Sequence, residues 1–407
     1  MTTVLISGAS VAGPALAYWL QRYGYTTTVV ERAPAPRPGG YAVDFRGASM
    51  KVLDRMGILD EVRARATDMG AITYVNEQGK RVASTPPSAF SGELEILRGD
   101  LVEILYTRTA DTVEYLFSDS IASLTDDGSG VDVVFESGLT RRFDLVIGAD
   151  GQHSNVRRLA FGPESSYAHD LGYYVSVSTV ANHLDLDRTG QILNVPGKTV
   201  GAYSARNNTE AKALFYFTAK DKLDYDRRDT ESQKTIIDEQ FAGIGWEVPT
   251  LLAGMRQAPD FYFDSITQIK LDSYSRGRIA LVGDAGYCAS SLSGMGTSLA
   301  IVGAYVLAGE LHAAGGDHVR AFEQYDARMK GFVAACQKLA LEGAMWFIPG
   351  SKWFMKLRNL TLRMMPYLPW RKVIEEAPLK AGNAIELTTY AVSSSEGLPV
   401  RPAAPRR

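Results

Sequence analysis

Cysteine is nearly absent from this chain of 407 residues: only Cys288 and Cys336 occur. Two cysteines cannot build a disulfide framework, and they point to a reducing compartment, the cytoplasm. Histidine is scarce as well, with His153, His169, His183, His312 and His318. No two of them have metal-ligand spacing on a helix with acidic company, so no metal site is expected. Neither sign of charge dominates, 43 Lys+Arg standing against 46 Asp+Glu for a net charge of −3. Without a basic excess to neutralise phosphates, a general nucleic-acid binder is disfavoured. An export signal is not expected either: Met1 leads at once into Val4-Leu5-Ile6, with no basic stretch or apolar run behind it. Residues 285–309 carry no charge, but the Gly, Ser and Thr of their first half read as a loop feeding a buried helix, not a membrane span. A serine-nucleophile elbow and a phosphate loop ending in Gly-Lys-Ser/Thr are both missing.

What is present begins at once. Residues 3–7 are a short apolar strand, 8–13 (GASVAG) a turn, and Ala15, Leu16, Trp19 and Leu20 follow at helical spacing. Pro14 stands where a helix tolerates a missing N–H, and Gly24 stops the helix. Residues 26–30 form a second strand ending at Glu31. A strand, helix, strand unit of this length implies parallel pairing. Further on, residues 49–66 read as one amphipathic helix, 113–137 as antiparallel strands turning at Asp126-Asp127-Gly128, and 144–149 as a buried central strand.

The middle of the chain changes character. Residues 171–180, 213–219 and 261–271 are rich in Tyr, Phe, Val and Thr, with one helix expected at 229–242. The fold class is therefore α/β: a Rossmann-like dinucleotide-binding domain, an inserted, mostly antiparallel β-sheet domain, and a C-terminal helical segment. The expected boundaries are 1–70, 95–170 and 272–330 for the first domain, 71–94 and 171–271 for the second, and 331–392 for the helices. The small, polar, Pro-rich residues 393–407 read as a disordered tail.

The opening turn carries the first chemistry. A strand-to-helix turn exposes backbone N–H groups at the positive end of a helix dipole, where a pyrophosphate can sit. The first and third glycines of the usual fingerprint are Gly8 and Gly13; the second position is Ser10, beside Val11 and Ala12. Glu31, eighteen residues past Gly13, can accept from adenosine ribose hydroxyls and would repel a 2′-phosphate, which favours FAD or NAD over NADP at this site. The alternative is a glycine turn that serves packing alone.

Two more stretches narrow the choice. One is Gly148-Ala149-Asp150-Gly151-Gln152-His153-Ser154-Asn155-Val156-Arg157; the other is Gly283-Asp284-Ala285 followed by Ser293-Gly294-Met295-Gly296-Thr297-Ser298. With the Gly8 loop, these resemble the class A flavoprotein monooxygenases of the para-hydroxybenzoate hydroxylase type, in particular the tetracycline-oxidising and aromatic-polyketide hydroxylase branch. The resemblance covers most of the chain. It implies non-covalent FAD as the resident cofactor, with NADPH or NADH docking transiently. Asp284 would accept from the flavin ribitol, and Gly294, Met295, Gly296 and Thr297 would face the pyrimidine edge of the ring. Asp150-Gly151 matches a motif implicated in both FAD and NAD(P)H contact. Arg157 completes that motif, or else pairs with Asp150. Arg98 matches an FAD-contacting arginine. Arg46 lies where the family has a residue near flavin and nicotinamide, a possible catalytic position, and Arg32 follows Glu31 at the adenosine end.

The implied reaction is oxygenation of an aromatic or polycyclic small molecule by O₂ through a flavin C4a-hydroperoxide, as hydroxylation or Baeyer–Villiger insertion. No protein nucleophile is needed. A monomer or homodimer is expected. An oxidase or reductase on the same fold, and a non-catalytic FAD-binding protein, stay open. Departures from the family pattern are Tyr287 for histidine, Ser291 for proline and Ser298 for asparagine. Cys288 beside them reads as a small loop residue sooner than a covalent flavin link. The inserted sheet should roof the substrate cavity. Among its aromatics, Phe215 and Phe217, on one strand face, are the substrate-lining candidates. The cluster Met345, Trp346, Phe347, Trp353, Phe354 and Met355 reads first as core, with a membrane-surface patch or a gating helix as the alternatives.

Overall fold

The short apolar runs of the first domain pair side by side because each is buried on both faces and can satisfy its backbone only through neighbours. The computed structural model describes residues 1–37, 39–85, 92–364 and 371–391. Its first sheet has six strands in the order Ser275–Arg276, Ile279–Leu281, Leu145–Gly148, Thr3–Ser7, Thr26–Glu31 and Glu114–Phe117. All neighbours are parallel except the first pair. The helix Ala12–Arg22 follows the opening strand, with Pro14 in its first turn, and the chain turns away at Gly24. A second buried helix, Gly296–Ala313, lies against it, and their side chains form the main core with Val4, Ile6, Ile147 and Val282. The uncharged stretch is thus a loop and a buried helix, as expected, and no helix among the described residues is long and apolar enough to cross a membrane.

The second sheet has seven strands in the order Phe261–Ile269, Ala168–Val180, Glu210–Thr218, Lys198–Ala205, Gly190–Val195, Ile72–Val75 and Arg81–Thr85. Every pairing is antiparallel except Gly190–Val195 with Ile72–Val75. A two-stranded ribbon, Ala42–Phe45 with Leu94–Leu97, lies apart from both large sheets. The thirty-residue helix His318–Phe347 then packs on Gly296–Ala313 and on the loop before it.

Four local expectations need correction. Residues 49–66 form two helices, Ala48–Met56 and Leu59–Ala64, because the chain breaks at Gly57 with φ 68°. Glu114–Phe117 does not join the meander of Ile121–Asp126, Val131–Phe135 and Thr140–Phe143; it extends the parallel sheet beside Thr26–Glu31. A helix that the apolar pattern did not reveal, Val248–Gln257, follows Thr230–Phe241. The aromatic cluster read as core is largely outside it, with Trp353 71% and Met345 59% exposed. The expected tail, residues 393–407, lies outside the described residues.

Candidate cofactor and substrate site

The opening turn is shaped by backbone contact. Gly8 has φ 107°, and a Cβ there would come within 2.5 Å of the Ala149 carbonyl oxygen. A Cβ on Gly13 would overlap the Gly8 carbonyl oxygen. The helix therefore approaches the turn as closely as only glycine permits. Ser10, Val11 and Ala12 lie between these two contacts, and no side chain caps the helix N-terminus. Glu31 sits at the turn: its Oε2 accepts from Ala9 N at 2.8 Å and its Oε1 from Ala33 N at 2.9 Å. Arg32 points to the surface near Glu136, at 3.9 Å.

Arg98 reaches the same turn from another element. Its Nη2 donates to Ser10 Oγ at 2.7 Å, and its backbone N donates to the Tyr41 carbonyl at 3.1 Å. The chain at Gly40 folds over it, since Gly40, at φ 105°, would place a Cβ 3.4 Å from Arg98 Cβ. A guanidinium held at an uncapped helix N-terminus makes a positive cradle.

The ring loop comes next. Gly283 has φ 67°, and a Cβ there would lie 3.2 Å from Ala12 and 3.6 Å from Ala300. The starts of the two buried helices thus meet at Gly283, immediately before Asp284. Asp284 is half-buried. Burial raises its carboxyl pKa, and the positive charge of Arg98 works against that rise. Gly294, at φ 59°, turns the chain, Met295 is fully buried, and Gly296 and Thr297 open the eighteen-residue helix without a side-chain cap. Two uncapped dipoles, a guanidinium and a half-buried carboxylate along one groove fit a ligand that is anionic in the middle and rich in hydroxyls, which is the chemistry of FAD. The departures from the family pattern have local partners. Tyr287 bonds Tyr325 hydroxyl to hydroxyl at 2.8 Å, and Ser298 bonds Ser49 likewise at 2.9 Å. Ser290 is held at φ 79° with a buried hydroxyl that has no protein partner. Burial, with Asp284 nearby, pushes the Cys288 thiol well above its ordinary pKa, and its Sγ faces the Thr267 carbonyl at 3.5 Å. A protonated thiol is a poor nucleophile, which agrees with the small-residue reading.

Asp150 serves the backbone. It accepts from Asn155 N at 2.9 Å, from Val156 N at 3.0 Å and from the Ser154 hydroxyl, while Gly151 turns at φ 83°. Arg157 does not pair with Asp150. It is fully buried and donates to the Ala285 carbonyl at 2.8 Å and the Gln152 carbonyl at 2.6 Å, and it pairs with Glu164 at 3.2 Å. It therefore ties this motif to the segment after Asp284. His153 adds a second tie: its ring bridges Glu164 at 3.0 Å and Asp264 of the seven-stranded sheet at 2.9 Å. Burial opposes its charge, but these two carboxylates outweigh burial and lift the pKa to about 9.

Arg46 is buried beside Asp44 at 3.4 Å. Asp44 also accepts from Gly92 N at 3.0 Å and lies near Gly294, where a Cβ would be 3.4 Å from its Oδ2. Directly across the two-stranded ribbon stands Glu95, hydrogen-bonded by Thr67. Burial and the facing Asp44 raise Glu95 to about 8, and burial raises Asp44. Sequence reading missed this carboxyl pair. The signal was there in Val43-Asp44-Phe45-Arg46, where charge alternates with apolar residues on a short strand.

The roof requires a correction. Phe215 and Phe217 are fully buried on the sheet face away from the groove. They pack with Phe241, Ile237, Val248 and Leu251 of the two covering helices. The groove face carries the alternate residues. Tyr216 is hydrogen-bonded by Ser291 and lies near Tyr41. Tyr203 accepts from Ala42 N at 3.1 Å, and Tyr262 stands 5.8 Å, centroid to centroid, from Tyr41. The period-two rule was right, but both faces are aromatic, and only the unseen helix Val248–Gln257 tells which face is covered.

Comparison with known proteins agrees with this geometry. Residues 1–338 match the family described as FAD binding domain. An uncharacterized protein of Mycobacterium tuberculosis is 50% identical over 358 residues, covering 86% of this chain and 95% of its own. A flavin-dependent monooxygenase of Legionella longbeachae is 42% identical over 342 residues, covering 83% and 87%. The crystal structure of tetracycline destructase Tet(51) superposes with a TM-score of 0.84 at 36% identity, covering 96% of this chain and 100% of that one.

Proposed function

The chain belongs to the FAD binding domain family of flavin-dependent monooxygenases, and from that premise we propose that it oxygenates a flat polycyclic aromatic molecule, with NADPH or NADH as electron donor and O₂ as oxidant. One observation carries the proposal: two buried helices present uncapped N-termini to one groove, meeting at Gly283 beside Asp284. FAD, when bound, supplies the two-electron redox chemistry and the activation of dioxygen. The chain's residues supply the rest. Gly8, Ser10, Val11, Ala12, Gly13 and Arg98 hold the pyrophosphate by N–H groups and one guanidinium. The spare lone pairs of Glu31 take ribose hydroxyls. Asp284 takes ribitol hydroxyls. The backbone N–H groups around Gly294, Met295, Gly296 and Thr297 stabilise negative charge on the pyrimidine edge. Arg46, buried against Asp44, adds positive charge on the groove side of Gly294.

The groove face of the roof, with Tyr41 beside it, supports this substrate class. Tyr41, Tyr203, Tyr216 and Tyr262 offer flat rings with hydroxyl ends, suited to an extended aromatic molecule with oxygen substituents. Tetracyclines are the first class to try, given the likeness to a tetracycline destructase. The test is purified holoprotein, yellow as isolated, incubated with NADPH or NADH, a tetracycline or aromatic polyketide, and ¹⁸O₂. Substrate-stimulated NAD(P)H oxidation with one labelled oxygen in the product supports the proposal. Stimulated oxidation that yields only hydrogen peroxide and unlabelled product would replace it with an oxidase.

A further inference from the structure

The end of the long helix and the helix Lys352–Met364 carry an apolar surface turned outward. On the shorter helix Trp353, Leu357, Leu360 and Met364 are spaced four, three and four residues apart, so they share one face. That face is in solvent: Trp353 is 71% and Leu360 57% exposed. Leu341, Met345 and Trp346 are exposed at the end of the preceding helix, where Trp346 meets Phe354 of the shorter helix edge-on at 6.0 Å between ring centres. The stripe is not a core face turned the wrong way, because the inward face is already satisfied. Arg358 is buried there, donating to Asn194 Oδ1 at 2.9 Å and to the Trp346 carbonyl at 2.8 Å, with its guanidinium 4.5 Å from the Tyr74 ring centre. This is an amphipathic helix whose polar anchor points in and whose apolar stripe points out.

Charge identifies what covers it. Between Glu342 and Glu375 the sequence holds five basic residues besides the buried anchor Arg358, and no acidic one, in a chain whose net charge is −3. Lys352, Lys356 and Arg363 are exposed on the striped helix. Three of the five tryptophans, Trp346, Trp353 and Trp370, fall in the same segment. A second copy of the chain would bring the same positive segment against this one, a like-charge contact. An anionic lipid surface complements it: tryptophan and leucine enter the headgroup boundary while lysine and arginine meet the phosphates.

We propose that the face formed by Leu341, Met345, Trp346, Trp353, Leu357 and Leu360, flanked by Lys352 and Lys356, seats the protein peripherally on an anionic membrane surface. The face lies next to the roof. Phe347, one residue past Trp346, packs edge-on against Tyr216 of the groove side at 4.9 Å between ring centres. A membrane-partitioned aromatic molecule would therefore meet the protein beside its substrate face; this last step rests on the proposed function, and the docking itself does not.

The experiment is co-sedimentation of the full-length, flavin-loaded protein with phosphatidylcholine vesicles, with and without phosphatidylglycerol, read together with tryptophan emission. We expect binding and a blue shift on the anionic vesicles, lost at high salt. At roughly fivefold per charge, Lys352→Glu with Lys356→Glu should weaken partitioning by well over tenfold. Trp353→Ser with Leu360→Ser should abolish the blue shift of the bound state. The control pair Lys220→Glu with Lys222→Glu, exposed on another element, makes the same charge change and should leave binding unaltered. Retained flavin absorbance and an unchanged Tm show that the variants fold. Failure of the parent protein to bind anionic vesicles overturns the proposal, as does equal weakening by the control pair. Sedimentation velocity that shows a dimer broken by Trp353→Ser with Leu360→Ser also overturns it, because a second copy then covers the face. Vesicle binding needs no turnover, so a failed oxygenation assay leaves this result standing.

Discussion

The floor and the roof of the groove are built on different principles. The floor is made of backbone: Gly8, Gly13 and Gly283 bring two helix starts and a strand end to within contact of one another, and side chains there act as accessories. The roof is made of side chains on a regular sheet, where one residue faces the groove and the next faces two covering helices. A floor of this kind tolerates almost no substitution at its glycines. A roof tolerates many, but each of its residues belongs wholly to binding or wholly to stability. Single substitutions separate the two, the largest effect falling on the floor.

Gly13→Val places a side chain on the Gly8 carbonyl. The backbone must move, at about 3 kcal/mol or more, and the turn loses its shape. We expect little folded flavoprotein; normal yield with normal flavin absorbance would mean that the floor is not held by backbone contact. Phe217→Ala should come next. It empties a fully buried ring position and should cost about 3–5 kcal/mol, read as a lowered denaturant midpoint. The KM of the surviving enzyme should hardly change, and a KM effect larger than the stability loss would put Phe217 back in the pocket.

How legible these regions were in the sequence follows from the same contrast. The turns at Gly8, Gly13 and Gly294, and the strand end at Glu31, could be read from the chain alone, because a tight turn demands glycine at fixed offsets whatever surrounds it. Phe215 and Phe217 could not be assigned a face, because Ala213-Leu214-Phe215-Tyr216-Phe217 is apolar at every position and alternation leaves no trace in it. The covering helix Val248–Gln257 was hidden by its Pro249 start, which fits a first helical turn as well as a loop. The alternation at Val43-Asp44-Phe45-Arg46 marks Asp44 alone; its pairing with Glu95 depends on strand register across about fifty residues, which that local pattern does not carry. Arg157 shows the same limit: its partner, Glu164, lies near in sequence, but only the fold says that the guanidinium turns to it and not to Asp150.

Smaller effects sharpen the contrast. Asp284→Ala should loosen FAD by roughly 10- to 100-fold, the loss of one or two charge-assisted hydrogen bonds, with Tm of the apoprotein nearly unchanged. Equilibrium dialysis or flavin fluorescence measures it, and unaltered affinity would remove the ribitol assignment. Tyr262→Ala, on the half-exposed groove face, should raise KM several-fold with less than about 1 kcal/mol lost in stability.

His153 joins floor to roof through Glu164 and Asp264. Its pKa is about 9 in the folded protein, against an unperturbed value near 6.5. The folded state therefore holds a proton that the unfolded chain releases across this window. Stability from the bridge is fully present below about pH 6.5 and is lost as pH rises through about 9. Partial exposure of the ring, with solvent screening of its carboxylates, keeps the contribution to the order of 1 kcal/mol. His153→Asn should thus lower Tm at about pH 6 and leave it close to the parent value at about pH 9.5. Denaturation scans at both pH values decide the matter. An equal loss at both would show that the ring holds the two domains by packing and not by its charge. Glu95→Gln is the companion, testing a pH slope of the same sign at lower pH. Its carboxyl is raised to about 8, so the parent protein loses stability as pH climbs from the unperturbed value near 4.3 towards 8, and the amide should remove that slope. The two variants together would assign the pH profile to one ionic bridge between the sheets and one buried carboxyl pair beneath Arg46.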